Sequence, residues 1–233
     1  MNVKEHVIYA LRNARINTYP FPHFFAREVF PEEFYWREII GNLKGSEEYK
    51  TMGGNYSARF FGPTEIPKGL EFMAEDDFMH EVMMIFYPWY KKRYGEKSCK
   101  VSTDLRLIRD EKGYQIGPHT DAAWKLVSLL FYLPQTYSNR ECGTSIYLPN
   151  AKGFRCAGGP HYDFEGFREA YRAPYEPNTC FGFWKTDNSF HGVEPITKDF
   201  NRDVLLFNLY DNDKIPKKEV ENEDVHKVQD SEE

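Results

Sequence analysis

The chain has 233 residues, a formal net charge of −6 and a high aromatic content of 19 Phe, 16 Tyr and 4 Trp. This length suits one domain, or a core domain with a helical extension. The charge is not that of a typical nucleic-acid-binding domain, and no apolar stretch reaches the roughly 18 residues of a membrane span. We therefore expect neither nucleic acid nor a membrane as a partner.

The cysteines and the N-terminal residues indicate the compartment. Four cysteines lie at unrelated spacings, which argues against a disulfide scaffold or a zinc ribbon. The first residues lack the apolar core of a signal peptide. We expect a cytoplasmic protein with reduced thiols, and the sequence makes no prediction about its oligomeric state.

Residues 1–98 are predicted to form a helical lead-in that packs on the core. Apolar residues recur at helical spacing in residues 3–16 and 70–87. Pro31 can occupy the first turn of a further helix that continues to residue 40.

From residue 99 the pattern changes to short β runs separated by Gly, Pro, Asn and Asp. The predicted strands cover residues 101–108, 114–121, 125–133, 144–148, 179–184, 192–196 and 204–210. The predicted fold class is mainly β with a helical N-terminal part, and residues 99–212 form a double-stranded β-helix core of the cupin-like, jelly-roll kind. Residues 152–178 are predicted to be a lid insertion, and residues 213–233 an acidic, disordered tail.

Two histidines and an aspartate form the candidate metal site. In a strand, His119 and Asp121 point to the same face because side chains alternate, and His191 would join them from a distant strand. Two imidazoles and one carboxylate are the ligand set of a non-haem Fe(II) site with open positions. His161 and Asp163 repeat the first spacing, but no clear strand follows them, so we interpret them as lid residues.

Arg202 opens the final predicted strand, eleven positions after His191. An arginine that enters the barrel at this point offers a bidentate fork to a carboxylate. If Arg202 faces inward, Val204, Leu206 and Asn208 share its face. The alternative is an ordinary surface salt bridge.

Residues 100–211 resemble the Fe(II)- and 2-oxoglutarate-dependent oxygenases, whose core is a double-stranded β-helix. The order of elements carries the resemblance: a His-x-Asp pair, a buried strand, a distant histidine, and an arginine that opens the last strand. The prolyl-hydroxylase-like branch is the most similar, judging from Ser-Leu-Leu-Phe-Tyr-Leu at residues 128–133 and Cys-Gly-Thr at residues 142–144.

The resemblance implies a role for each of these residues. His119, Asp121 and His191 would hold Fe(II) as the catalytic metal ligands, and Arg202 would bind the distal carboxylate of 2-oxoglutarate. Further co-substrate contacts are expected from the strand that follows the first ligand pair, namely Tyr132 and Ser128. The implied reaction consumes 2-oxoglutarate and O2, releases succinate and CO2, and hydroxylates a substrate C–H bond, with ascorbate as a candidate reductant.

Three positions distinguish this chain from some relatives. Residue 204 is Val where some members have Ser. This removes a hydroxyl contact to the co-substrate and makes the expected contact from Tyr132 more important. Asp121 favours hydroxylation, because halogenating members replace this carboxylate with Gly or Ala. Asn208 stands where nucleobase demethylases carry a second arginine, which makes that branch a poor match.

The substrate and two other classes of function stay open. The substrate is predicted to be a peptide residue of prolyl type or a small amino-acid-like metabolite. Candidate substrate contacts are Arg155, Arg168 and Arg172 in the lid and Trp124 after the ligand strand. The alternatives are a zinc-dependent hydrolase or isomerase and a non-catalytic jelly-roll binding protein, and neither explains a carboxylate anchor at Arg202.

Overall fold

The strands of the protein form two antiparallel sheets that face each other across a cavity. The computed structural model describes residues 2–53, 57–62 and 67–216. Within these ranges the strands are β1 His23–Arg27, β2 Lys50–Thr51, β3 Arg59–Phe61, β4 Val101–Asp110, β5 Ile116–His119, β6 Lys125–Tyr132, β7 Ser145–Pro149, β8 Phe167–Arg172, β9 Thr179–Trp184, β10 His191–Val193 and β11 Arg202–Asp211. The larger sheet has the order β1-β9-β6-β11-β4-β3-β2, and the smaller has the order β5-β10-β7-β8. All predicted strands are present, with ends shifted by a few residues.

The helices lie mainly in the first hundred residues. The α-helices are α1 Val3–Asn13, α2 Glu32–Phe34, α3 Asp76–Ile85 and α4 Tyr87–Tyr94. A π-helix spans Tyr35–Ile39, and 3-10 turns cover Ile40–Asn42, Ser46–Glu48, Glu71–Ala74, Arg140–Cys142, Phe164–Gly166 and Asn212–Lys214. No helix in the described part of the chain is both long and apolar enough to cross a membrane.

Helix α1 begins at a capping box and ends earlier than predicted. The Asn2 side chain accepts from the backbone of Glu5, and the Glu5 side chain accepts from the backbone of Asn2. The helix stops at Asn13 rather than residue 16, because Asn17 exchanges backbone hydrogen bonds with His23. Backbone pairing with the start of β1 thus replaces the last helical turn.

The other two predicted helices are each divided. After Pro31 a short helix turns into the π-helix, where the Tyr35 hydroxyl donates to the carbonyl of Pro134 at 2.9 Å. The apolar stripe in residues 70–87 is buried as expected, but a 3-10 turn precedes α3. Helix α4 was not predicted. None of its residues is fully buried, so its sequence shows no apolar residues at helical spacing.

The prediction that residues 1–98 form a helical lead-in is incomplete. This segment also supplies both edges of the larger sheet, since β1 pairs with β9 and β3 pairs with β4. Strands of two to five residues are too short to show a clear alternation in sequence. Most of the predicted tail, residues 217–233, lies outside the described residues.

The two faces of β11 pack in two different apolar clusters. Leu205, Phe207 and Leu209 pack with the helices on the outer face of the larger sheet. Val204 packs instead in a smaller cluster between the sheets. Because successive side chains alternate, Arg202, Leu206 and the other even-numbered residues of this strand face the cavity.

A buried ion pair lies on the outer face of the larger sheet at the start of β11. Arg109 of β4 is the register partner of Asp203 and donates to both of its carboxylate oxygens, at 2.8 and 2.9 Å. The two side chains are 5% and 7% exposed. The guanidinium also lies 4.1 Å from the ring centre of Tyr49. Both side chains are therefore almost completely buried.

We expect Arg109→Gln to lower the free energy of unfolding by about 3 kcal/mol, because a buried carboxylate then loses its charged partner. Urea denaturation followed by circular dichroism measures this loss. The matched control is Arg37→Gln, which removes an arginine that is 73% exposed beside Glu33. Equal losses in the two variants would contradict a role for burial.

Candidate metal centre

His119, Asp121 and His191 converge at one wall of the cavity. His119 ends β5 and His191 begins β10, and the two are register partners in the smaller sheet. The Nε2 atom of His119 is 3.8 Å from Asp121 Oδ1, and that of His191 is 3.6 Å from Asp121 Oδ2. One ligand atom from each residue lies within 4.8 Å of the others. This is the one cluster of three or more potential ligands found among the described residues.

Backbone carbonyls orient both imidazoles. The Nδ1 atom of each histidine lies 2.9 Å from the carbonyl oxygen two residues earlier, at Gly117 for His119 and at Ser189 for His191. A carbonyl only accepts, so Nδ1 carries the proton and the lone pair of Nε2 points towards Asp121. Such outer contacts fix the tautomer that binds a metal.

Burial also favours the neutral form of the two histidines. It is the main cause that lowers the pKa of His119 and of His191, although Asp121 acts in the opposite direction. A neutral imidazole is the form that ligates a metal ion. The site is therefore built to keep its nitrogen ligands unprotonated.

Asp121 has an uncommon backbone conformation, and neighbouring side chains hold its carboxylate. Its φ is +62°, a left-handed value that residues other than glycine adopt rarely. Lys125 Nζ donates to Oδ1 at 3.0 Å, and Ser128 Oγ lies 3.3 Å from Oδ2. Burial works to raise the pKa of Asp121, but Lys125 and the two histidines outweigh it and lower that pKa well below its usual range. The carboxylate is therefore ionised and available to a cation.

The cavity beside this cluster has a volume of about 240 Å³. Its lining includes the apolar side chains of Ile108, Leu130, Val204 and Leu206. Arg106 lies opposite Leu206, and the exposed fraction of the side chain rises from 1% at Arg202 to 42% at Arg106, so the cavity opens beside Arg106.

Arg202 points inward and is buried in an ion pair rather than a surface salt bridge. Its Nη1 donates to Asp110 Oδ2 at 2.7 Å, Nε donates to the carbonyl of Cys142 at 2.6 Å, and Nη2 lies 3.3 Å from Thr144 Oγ1. Three of the five N–H groups of a guanidinium are thus used by protein partners in the described residues. Val204, Leu206 and Asn208 share its face and line the cavity, as predicted.

Tyr132 and Ser128 lie on the inward face of β6 at different depths. Tyr132 is fully buried, and its hydroxyl accepts from the backbone N–H of Thr144 at 2.9 Å. Its ring centre is 5.6 Å from the guanidinium carbon of Arg202. Ser128 lines the cavity beside the metal cluster, within 3.1 Å of Asn208 Oδ1. Their predicted contact with a co-substrate stays a prediction.

The four candidate substrate contacts lie outside the cavity lining. Arg155 and Arg168 are exposed, and Trp124 is half-buried. Arg172 donates to Glu169 and to the carbonyl of Glu141 at 2.6 and 2.7 Å, so its guanidinium is already bound by protein groups. Part of residues 152–178 also forms β8, an edge strand of the smaller sheet. A role for these four residues in substrate binding stays a prediction.

A loop of the predicted lid packs directly on the ligand strand. The backbone N–H of Tyr162 donates to the carbonyl of Pro118 at 3.0 Å, and the ring centre of His161 lies 4.6 Å from that of His119. A Cβ at Gly158, where φ is +139°, would meet the carbonyl oxygen of Asp121 at 2.2 Å. His161 and Asp163 are not part of the metal cluster, in agreement with their interpretation as lid residues.

Two charged residues near Arg202 were missed from the sequence. Asp110 ends β4 opposite Arg202, and Arg59 lies in the unpredicted strand β3. The strand predicted at residues 101–108 ends two residues before Asp110, so Asp110 was overlooked. For Arg59 the sequence carries no signal, because three residues between turns show no period.

Comparisons with known proteins identify the fold. No family model matches the chain, and no curated protein matches its sequence. A solved prolyl-4-hydroxylase from Pseudomonas putida is similar, with a TM-score of 0.51 at 11% identity over 89% of this chain and 98% of that chain. A Trichoplax adhaerens prolyl hydroxylase, solved with a hypoxia inducible factor peptide fragment, gives a TM-score of 0.48 at 10% identity over 90% of each chain.

HygX from Streptomyces hygroscopicus, solved with nickel and 2-oxoglutarate, gives a TM-score of 0.45 at 10% identity over 81% of this chain and 82% of that chain. At these identities the likeness to the Pseudomonas putida protein is one of fold. It confirms the predicted class, mainly β with a helical N-terminal part and a jelly-roll core.

Proposed function

We propose that this protein is an Fe(II)- and 2-oxoglutarate-dependent dioxygenase that hydroxylates a substrate C–H bond. The observation that supports this most strongly is one arrangement. Two oriented imidazoles and an ionised carboxylate meet at one wall of a cavity whose buried end holds Arg202.

The donor set fits the metal. Two His nitrogens and one carboxylate oxygen on one side of a cavity leave coordination positions open towards the cavity, as a non-haem Fe(II) site requires. Magnesium and calcium prefer oxygen ligands, and structural zinc sites are closed by four protein ligands. His119, Asp121 and His191 would hold the iron.

Iron(II) held at this position would supply the oxidation together with 2-oxoglutarate and dioxygen: the oxo acid loses CO2 and takes one oxygen atom to become succinate, and the other oxygen atom enters the substrate C–H bond. The side chains of the protein bind, orient and exclude water. Arg202 binds the distal carboxylate with its two remaining N–H groups. Lys125 and Ser128 hold the Asp121 carboxylate in place, and the apolar side chains of the lining keep water out.

The substrate is a peptide residue of prolyl type or a small amino-acid-like metabolite. The co-substrate would occupy the buried part of the cavity beside Arg202, so the reacting group of the substrate enters from the open side. Two charged side chains of the lining, Asp104 and Arg106, are 24% and 42% exposed and lie on this side. The name of the Pseudomonas putida protein gives the class to test first, a prolyl peptide.

We expect alanine substitution at His119, Asp121 or His191 to weaken Mn(II) or Fe(II) binding by at least about a hundredfold, since each variant removes a direct ligand. Anaerobic titration with calorimetric detection measures the dissociation constant. His80→Ala removes an exposed imidazole on α3 and serves as the control. Unchanged affinity in all three ligand variants would rule out this metal site.

We expect the Fe(II)-loaded protein to form succinate from 2-oxoglutarate in the absence of substrate, and Asp121→Ala to form none. Arg202→Gln should raise the KM for 2-oxoglutarate by at least about tenfold, because the distal carboxylate loses its charged partner. Chromatographic quantification of succinate checks both. Absence of succinate, together with zinc in the protein as isolated, would favour the zinc-dependent hydrolase or isomerase instead.

A further inference from the structure

A short segment of the loop after β7 lies against the turn that follows β5 and carries Asp121. Its residues are Cys, Ala and Gly at positions 156–158, and we call this segment the brace. A Cβ built on Gly158 would lie 2.2 Å from the carbonyl oxygen of Asp121 and 3.0 Å from the backbone nitrogen of Ala123. Only a glycine leaves room for so close an approach of two backbones. The brace therefore touches the turn directly, through backbone atoms.

Two buried side chains hold the carbonyl groups of the brace. Thr120, which separates the first two metal-ligand candidates in the sequence, is fully buried, and its hydroxyl donates to the carbonyl of Cys156 at 2.8 Å. Lys185 directly follows β9, and its Nζ donates to the carbonyl of Ala157 at 2.6 Å. The side chain of Lys185 is 2% exposed. Buried donors are costly to leave without acceptors, so both hydrogen bonds resist opening.

Lys185 is itself fixed to the larger sheet. Its backbone N–H donates to the carbonyl of Leu126 at 2.9 Å, which continues the pairing of β9 with β6 by one residue. Asp187 adds a second connection, because its carboxylate accepts from Lys185 Nζ at 3.3 Å and its backbone carbonyl accepts from the N–H of Cys156 at 2.8 Å. The brace is thus tied to the larger sheet at the end of β9.

The backbone of Asp121 needs support at this point. Its φ of +62° is unfavourable for an aspartate and persists only where the surrounding structure holds it. Lys125 and Ser128 contact the carboxylate, whereas the brace contacts the carbonyl oxygen of the same residue. The brace therefore restricts the backbone from which the ligand side chain extends.

We propose that the brace positions Asp121 for the metal, and that Thr120 and Lys185 are positioning residues that act through it. Without the brace, the turn would adopt a commoner backbone conformation and the carboxylate would move away from the two histidines. This inference rests on the metal centre of the proposed function, but not on its co-substrate or its reaction. It assigns one part of the predicted lid, residues 152–178, to the support of the metal.

Two neighbouring glycines provide a matched pair of variants. Gly158 and Gly159 both have a positive φ, of +139° and +114°. A Cβ on Gly159 would meet nothing within 4 Å, whereas a Cβ on Gly158 would push against the turn that carries Asp121. Gly158→Ala and Gly159→Ala therefore both strain the backbone, and only the first displaces the turn. The dissociation constant of Mn(II) is measured for each variant by anaerobic calorimetry.

We expect Gly158→Ala to weaken Mn(II) binding by about tenfold to a hundredfold, the range for groups that orient metal ligands, and Gly159→Ala to change it by less than about twofold. Thr120→Val and Lys185→Met should each weaken it by about tenfold, and Thr120→Ser, which keeps the hydroxyl, should stay within about threefold of the wild type. The visible absorption of bound Co(II) is the second readout. Its bands should shift in Gly158→Ala and Thr120→Val, because the carboxylate ligand is displaced, and stay unchanged in Gly159→Ala.

Arg109→Gln controls for a general loss of stability, and it should keep the affinity for Mn(II) at a temperature where it is folded. If Gly158→Ala does not fold, Thr120→Val and Thr120→Ser carry the test. Mn(II) affinities of Gly158→Ala and Thr120→Val equal to that of the wild type would overturn the proposal. If the wild type binds Mn(II) but forms no succinate, the proposed function fails and the same variants still decide the role of the brace. A wild type that binds no Mn(II) would overturn both.

Discussion

Strand β11 lies between β4 and β6, and the alternation of its side chains determines what each interior of the protein contains. The even-numbered residues from Arg202 to Asn208 face the cavity, and Leu205, Phe207 and Leu209 face the helices. A shift of one residue in the pairing would place the arginine among apolar side chains. The long ladder with β4, ten residue pairs from Arg202↔Asp110 to Asp211↔Val101, makes such a shift costly.

The same register connects the charges to the metal site. It places Arg202 beside Asp110 at the closed end of the cavity, and it brings Ser128 and Asn208 opposite each other near the Asp121 carboxylate. Each buried charge at the cavity wall has an ionic partner in the protein, as the cost of desolvation requires.

The sequence was sufficient for the parts of the site that follow from local periodicity. Strand alternation places His119 and Asp121 on one face, and the order of motifs separates them from the similar pair at residues 161 and 163. Seven of the eight described strands after residue 99 were predicted to within a few residues for the same reason, because runs of four or more residues are visible in one sequence. The eighth, β8, falls in the segment that was predicted to be a lid.

The rest depends on contacts between distant residues. Arg59 and Arg202 meet Asp110 across 51 and 92 positions, and only the pairing of β3, β4 and β11 brings them together. The pairing of Arg172 with Glu169 could not be predicted for a similar reason, and the role of the lid arginines in substrate binding stays a prediction. The helix predicted after Pro31 became a π-helix through packing of Tyr35, which is a tertiary effect.

A crystal structure with Mn(II) and 2-oxoglutarate, grown without oxygen, tests the central claim most directly. We predict the cation on Nε2 of His119 and His191 and on the Asp121 carboxylate, with the distal carboxylate of the oxo acid in contact with Arg202. A cation held by other residues, or an oxo acid that does not reach Arg202, would contradict the assignment.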